Sequence, residues 1–220
     1  DNLWSLLSME PTAGPMRPLY LVEGEEPRAL NPFTSSSAYD WQVLALIYDA
    51  LIAIDPYTLK TIPWLAKSWT VETKVRDGGP HTVITFHLRN GVRWQDGKPL
   101  TADDVAFTYE YLRKNMIPRY FDNVDNIEKI ETPDDLTLVV TMKNVSFWHL
   151  HRVGGIPALP RHLVEKVEDW RSWLPASLKH PENESLTQLV GTGPFVFREY
   201  RAGEYVHLTG NDAFWLGRRR

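Results

Sequence analysis

The sequence predicts a mixed α/β (α+β) fold, because segments of two different periods alternate along it. Ile84, Phe86 and Leu88 alternate with Thr85, His87 and Arg89, and Leu136, Leu138, Val140 and Met142 alternate with Thr137, Val139 and Thr141. That period of two marks strands with one buried face. Leu44, Ile47, Tyr48 and Leu51, and later Ala102, Val105, Tyr109 and Leu112, instead recur at helical spacing. Asn90-Gly91, Asp96-Gly97 and Pro133-Asp134-Asp135 punctuate these runs as turns.

Taken in order, residues 1–17 read as an N-terminal extension or linker in which Leu3, Trp4, Leu6 and Leu7 make a short helix. Leu19–Glu23 reads as a short strand, and 24–37 as a loop rich in Pro and Ser. Ser37 or Asp40 caps a helix expected over 41–54, which Asp55-Pro56 stops. Trp69-Thr70-Val71 leads into a hairpin whose second strand runs through Phe86. Thr101, with Asp104 three positions on, resembles a capping box that opens a helix to about 115. The chain from Asn115 to Asp125 reads as a loop, and 126–131 pairs with 136–142. Ser146–Arg152 is a short helix ended by Gly154 and Gly155. Pro160 suits the first turn of the next helix, and Pro175–Glu184 reads as a polar loop. Thr192–Tyr200 and Tyr205–Thr209 form two strands joined at Arg201-Ala202-Gly203.

Composition removes several functions. The 220 residues suit one large or two small domains, and 43% hydrophobic residues suit a real core. A net charge of −4 argues against nucleic-acid binding. The chain has no cysteine, so disulfides and thiolate metal sites drop out. No apolar run reaches the roughly eighteen residues of a membrane span. The chain begins with Asp1, and no basic segment followed by an apolar one precedes the body. A signal peptide is therefore expected to be absent or already removed, and the chain processed or truncated. Nine Trp and nine Tyr supply flat faces that serve cores and ligand pockets alike.

Chemistry-bearing patterns are sparse. Asp103 and Asp104 are adjacent on a helix and point in different directions, so they make a poor catalytic pair. His149 and His151 share a face only on a strand, and His162 is too distant for a zinc spacing. Gly191-Thr192-Gly193-Pro194 lacks the Lys-Ser or Lys-Thr of a phosphate loop, and no Gly-x-Ser-x-Gly elbow is present. No catalytic residue, metal ligand or cofactor is expected, and the chain reads as a non-enzyme.

The 86–107 stretch, FHLRNGVRWQDGKPLTADDVAF, resembles the signature of the extracytoplasmic solute-binding proteins of ABC importers, specifically the dipeptide/oligopeptide-binding family 5. Ile47-Tyr48-Asp49-Ala50-Leu51, Pro63-Trp64-Leu65-Ala66-Lys67-Ser68-Trp69, Gly191-Thr192-Gly193-Pro194-Phe195, Asn211 and Phe214-Trp215 fall in the family's order. The resemblance covers about residues 18–216. It implies a periplasmic-binding-protein-like type II lobe with an inserted smaller α+β domain, the second lobe being missing. The first lobe would comprise 18–45 and 156–216, sharing one mixed sheet, and the inserted domain 46–155.

The function implied is capture of oligopeptides or dipeptides for a membrane permease. The partners implied are a peptide or small-molecule ligand and ABC permease subunits, with no nucleic acid. The chain would be a monomer in the periplasm or at the cell surface, with or without a membrane anchor. Cello-oligomer-like sugars are the alternative ligand within the family, beside nickel and opines, and a ligand-sensing module of a regulator is a further alternative. By the same resemblance, the loop ending in Leu30-Asn31-Pro32 lies at the mouth of the ligand cleft. Asn31, Thr34, Ser35 and Ser36 are then candidate polar contacts, against the alternative of an ordinary surface loop. Tyr120 and Phe121 are candidate aromatic contacts from the 115–125 loop.

Overall fold

A computed structural model of the chain describes residues 26–28, 30–76 and 78–217. The expected helix within 1–17, the strand Leu19–Glu23 and the terminal arginines lie outside the described residues. The elements are α1 (Ala38–Ile47), β1 (Ile52–Ile54), β2 (Thr61–Pro63), β3 (Ala66–Arg76), β4 (Gly79–Leu88), α2 (Ala102–Lys114), α3 (Phe121–Val124), β5 (Ile127–Asp134), β6 (Thr137–Met142), α4 (His149–Gly154), α5 (Arg161–Val164), β7 (Lys179–His180), β8 (Asn183–Thr187), β9 (Phe195–Arg201) and β10 (Tyr205–Gly210). They fall into two compact units. One holds 26–49, Val92–Pro99 and 162–217, and the other holds Ala50–Gly91 and Leu100–Arg161. The octapeptide Val92–Pro99 thus groups with the first unit, although the sequence reading placed it within the inserted segment.

The Ala50–Gly91/Leu100–Arg161 unit is built on an antiparallel sheet of order β3-β4-β6-β5. Its register sets Phe86 opposite Leu138 and Ile84 opposite Val140. All four side chains are buried on one face, as the alternation requires. Helix α2 packs on β5 and β6 with Ala102, Val105, Tyr109 and Leu112 buried. Val105 and Leu112 each contribute about 1.5–3 kcal/mol by leaving water. The start of α2 is fixed by Asp104, whose carboxylate accepts the Thr101 N–H at 2.9 Å and the Thr101 hydroxyl at 3.2 Å. The other Asp104 oxygen accepts the Arg161 N–H at 3.3 Å. Asp104 is therefore buried scaffold. Tyr109 donates its hydroxyl to the Val153 carbonyl at 2.7 Å, and burial pushes its phenol up.

In the other unit, Ser37 caps α1 by accepting the Tyr39 N–H at 3.2 Å. The helix ends seven residues before the predicted Ile54. Tyr48 is extended, at φ −105° and ψ 138°, and the Ile47 carbonyl takes the Gly193 N–H at 2.8 Å instead of continuing the helical ladder. The β-branched Ile52 and Ile54 then pair with β2. The expected polar loop at 175–184 is also corrected, since it contains β7 and leads into β8, an antiparallel pair with His180 opposite Asn183. Strands β9 and β10 form a hairpin turned at Gly203, whose φ is +75°. Among the described residues this unit's strands form two separate two-stranded ladders. The single mixed sheet implied by the resemblance draws on Leu19–Glu23, which lies outside the described residues.

Candidate functional site

The loop before α1 is held by Asn31. Leu30 adopts a left-handed φ of +33°, and Asn31 follows it into the interior, 1% exposed. Its amide nitrogen donates to the Trp173 carbonyl at 2.7 Å and the Trp170 carbonyl at 3.0 Å. Its amide oxygen accepts the Phe33 N–H at 2.8 Å, and its own N–H donates to Ser35 Oγ at 3.1 Å. The Phe33 ring lies 5.6 Å from that of Trp173. Of the four polar candidates in this loop, Asn31 and Ser35 are thus buried and bonded internally. Thr34 and Ser36 are exposed.

Tyr120 and Phe121 belong to the other unit, at the start of α3. Tyr120 is buried with the Arg119 guanidinium 5.8 Å from its ring centre. Burial pushes its phenol up to about 12, against a smaller opposing pull from Arg119. Phe121 is half-buried.

Two features escaped the sequence reading. The first is a cavity of about 380 Å³ walled by Leu163, Val167, Trp173 and Leu178, with Lys166 and Gln188 among its polar lining. Its volume lies within the usual range for small-ligand pockets. Trp173 connects it to the loop, since its carbonyl holds Asn31 while its indole N–H donates to Gln188 at 2.9 Å. The Trp170-x-x-Trp173 pair was the available signal.

The second is a cluster of Asp96, His162 and His180. Asp96 Oδ2 lies 2.6 Å from His162 Nε2 and 3.2 Å from His180 Nε2, while Oδ1 accepts the Lys98 N–H at 3.1 Å. Burial raises the Asp96 carboxyl, but the bonds from His162, the Lys98 N–H and His180 outweigh it and hold it below the usual range. No local spacing reveals a set separated by 66 and 84 positions. His149 and His151 do not join it; they bond separately to Asn144 and Thr61.

The Gly191–Pro194 segment is occupied structurally. A Cβ at Gly191 would lie 1.9 Å from the Ile47 carbonyl oxygen. Gln95 brackets the segment, accepting the Gly191 N–H at 3.1 Å and donating to the Phe195 carbonyl at 2.6 Å. The signature residues Gln95 and Asp96 therefore serve to join loop, hairpin and strand.

Residues 60–220 match the family described as bacterial extracellular solute-binding proteins, family 5 Middle. The chain belongs to that family. Among its relatives, the peptide transport periplasmic protein SapA of Salmonella typhimurium is 33% identical over 224 residues, covering 91% of this chain and 37% of SapA. NikZ from Campylobacter jejuni, solved with Ni(L-His), superposes with a TM-score of 0.69 at 28% identity, over 88% of this chain and 35% of NikZ. The oligopeptide-binding protein AppA of Bacillus subtilis, solved with a nonapeptide, gives 0.65 at 27%, over 88% and 36%. The chain thus spans little more than a third of the length of these relatives.

Proposed function

We propose that this chain is part of an extracytoplasmic solute-binding component that captures peptides and delivers them to an ABC permease. The observation that carries the reading is the likeness to SapA, a peptide transport protein, over 91% of the chain. AppA, with its nonapeptide, supports it independently through the fold. The role is binding rather than catalysis, and the assembly is a monomer docking on permease subunits. The unit of 26–49, Val92–Pro99 and 162–217 would correspond to the first lobe, and Ala50–Gly91 with Leu100–Arg161 to the inserted smaller domain.

In the unit holding 26–49, the exposed Thr34 and Ser36 supply hydroxyls to a peptide backbone, and Asn31 and Ser35 hold the loop that presents them. In the other unit, the half-buried Phe121 at the start of α3 is the candidate aromatic contact, with the buried Tyr120 fixing it. A chelated metal ion is the second reading, favoured by the NikZ likeness with Ni(L-His). Native mass spectrometry of the protein from its natural source discriminates between them. A retained mass that fragments into a peptide ladder supports the first reading. A retained nickel complex, opine or sugar oligomer overturns the peptide assignment.

A further inference from the structure

We propose that Asp96, His162 and His180 form a binding site for one divalent transition-metal ion of the zinc class. The three potential ligand atoms lie within 4.8 Å of one another. The Asp96 and His180 side chains are 2% and 1% exposed, while His162, at 21%, faces the open side. Two imidazoles and a carboxylate suit borderline ions such as zinc, and hard ions poorly. Ligand atoms around a tetrahedral zinc ion stand roughly 3.4 Å apart, from bonds of about 2.0–2.1 Å. His180 is already near that spacing from Asp96, at 3.2 Å, and His162, at 2.6 Å, must withdraw from Asp96 by less than about 1 Å while the two imidazoles, within 4.8 Å of each other, settle to the same spacing. Three protein ligands leave a fourth position for water or a ligand group.

The alternative is a metal-free clasp in which both Nε2–H groups donate to Asp96, and the geometry also says how the two states differ. The Glu182 N–H donates to His180 Nδ1 at 3.1 Å, so the metal-free His180 carries its proton on Nε2. To offer that nitrogen's lone pair to an ion, the proton must move to Nδ1, where it would oppose the Glu182 N–H. Ion entry therefore requires the Pro181–Glu182 peptide, central in the β7–β8 turn, to rotate and present its carbonyl to Nδ1. Lys98 and Glu182, paired at 2.9 Å, and Lys166 are the charged groups around this turn.

The test is zinc titration of the metal-stripped protein by calorimetry, with cobalt(II) visible spectra and with calcium and magnesium as hard-ion controls. A single equivalent bound at micromolar or tighter affinity is expected. Asp96→Asn, His162→Gln and His180→Gln should each weaken it by more than about 100-fold, beyond what loss of an outer partner does. Asp96→Asn keeps an oxygen for both histidine hydrogen bonds but turns its NH2 on the Lys98 N–H, so its melting temperature, read beside its zinc uptake, separates ligation from folding. The exposed His207→Gln should leave binding unchanged, and the Glu182 amide resonance should move on zinc addition. Absence of uptake, uptake that the three variants leave intact, or an unmoved Glu182 amide overturns the proposal.

Discussion

Asn31 shows how a residue that reads as a loop contact can be a fastener. Its side chain satisfies two buried carbonyls and one N–H, and each such group left unpaired costs about 1–3 kcal/mol. Asn31→Ala should destabilise the protein by about 3 kcal/mol in urea unfolding, and a loss under about 0.5 kcal/mol, the surface range, would refute this role. Its loop character was legible from the neighbouring Pro and Ser residues. Its partners were not, because the two tryptophan carbonyls stand 139 and 142 positions away. Tyr120 gives the second residue-scale prediction. Its folded phenol, raised by burial to about 12, exceeds the unfolded value of about 10. The protonated form is thus the one the fold favours. Its contribution is complete below pH ~10 and falls as pH rises from ~10 toward 12. Ultraviolet phenolate titration of the protein against Tyr120→Phe should lose one transition near 12, and loss of one near 10 would contradict the assignment.

At the scale of elements, the period-two strands β4 and β6 and the box at Thr101 were legible because the information is local. The end of α1 was not, since it depends on the Gly191–Gly193 segment reaching the Ile47 carbonyl across nearly 150 positions. The β7–β8 pair was missed for a different reason. Its interior positions include the polar His180 and Thr187 as well as Leu186, so no hydrophobic alternation announces it. The close approach at Gly191 is testable. An added methyl would meet backbone, not a yielding side chain, so Gly191→Ala should lose about 3 kcal/mol, the upper end of overpacking penalties, or fail to accumulate folded. Gly78→Ala is the control, because a Cβ there meets nothing within 4 Å. Equal melting temperatures for the two variants would show that the segment yields more easily than its geometry indicates.

At the scale of the whole molecule, the chain crosses between its two units at 49/50, 91/92, 99/100 and 161/162. Each unit nevertheless carries its own buried side chains: Phe86, Ile84, Leu138 and Val140 in one, Leu44, Ile47, Val190 and Phe197 in the other. Separate cores imply separate cooperative opening. Phe86 is fully buried opposite Leu138, and Phe86→Ala should cost about 3–5 kcal/mol. Native-state hydrogen exchange should register that cost in β3, β4, β5, β6 and α2 and leave the protection of α1, β9 and β10 close to wild type. Equal loss in both sets would mean that the four crossings couple the units into a single cooperative body.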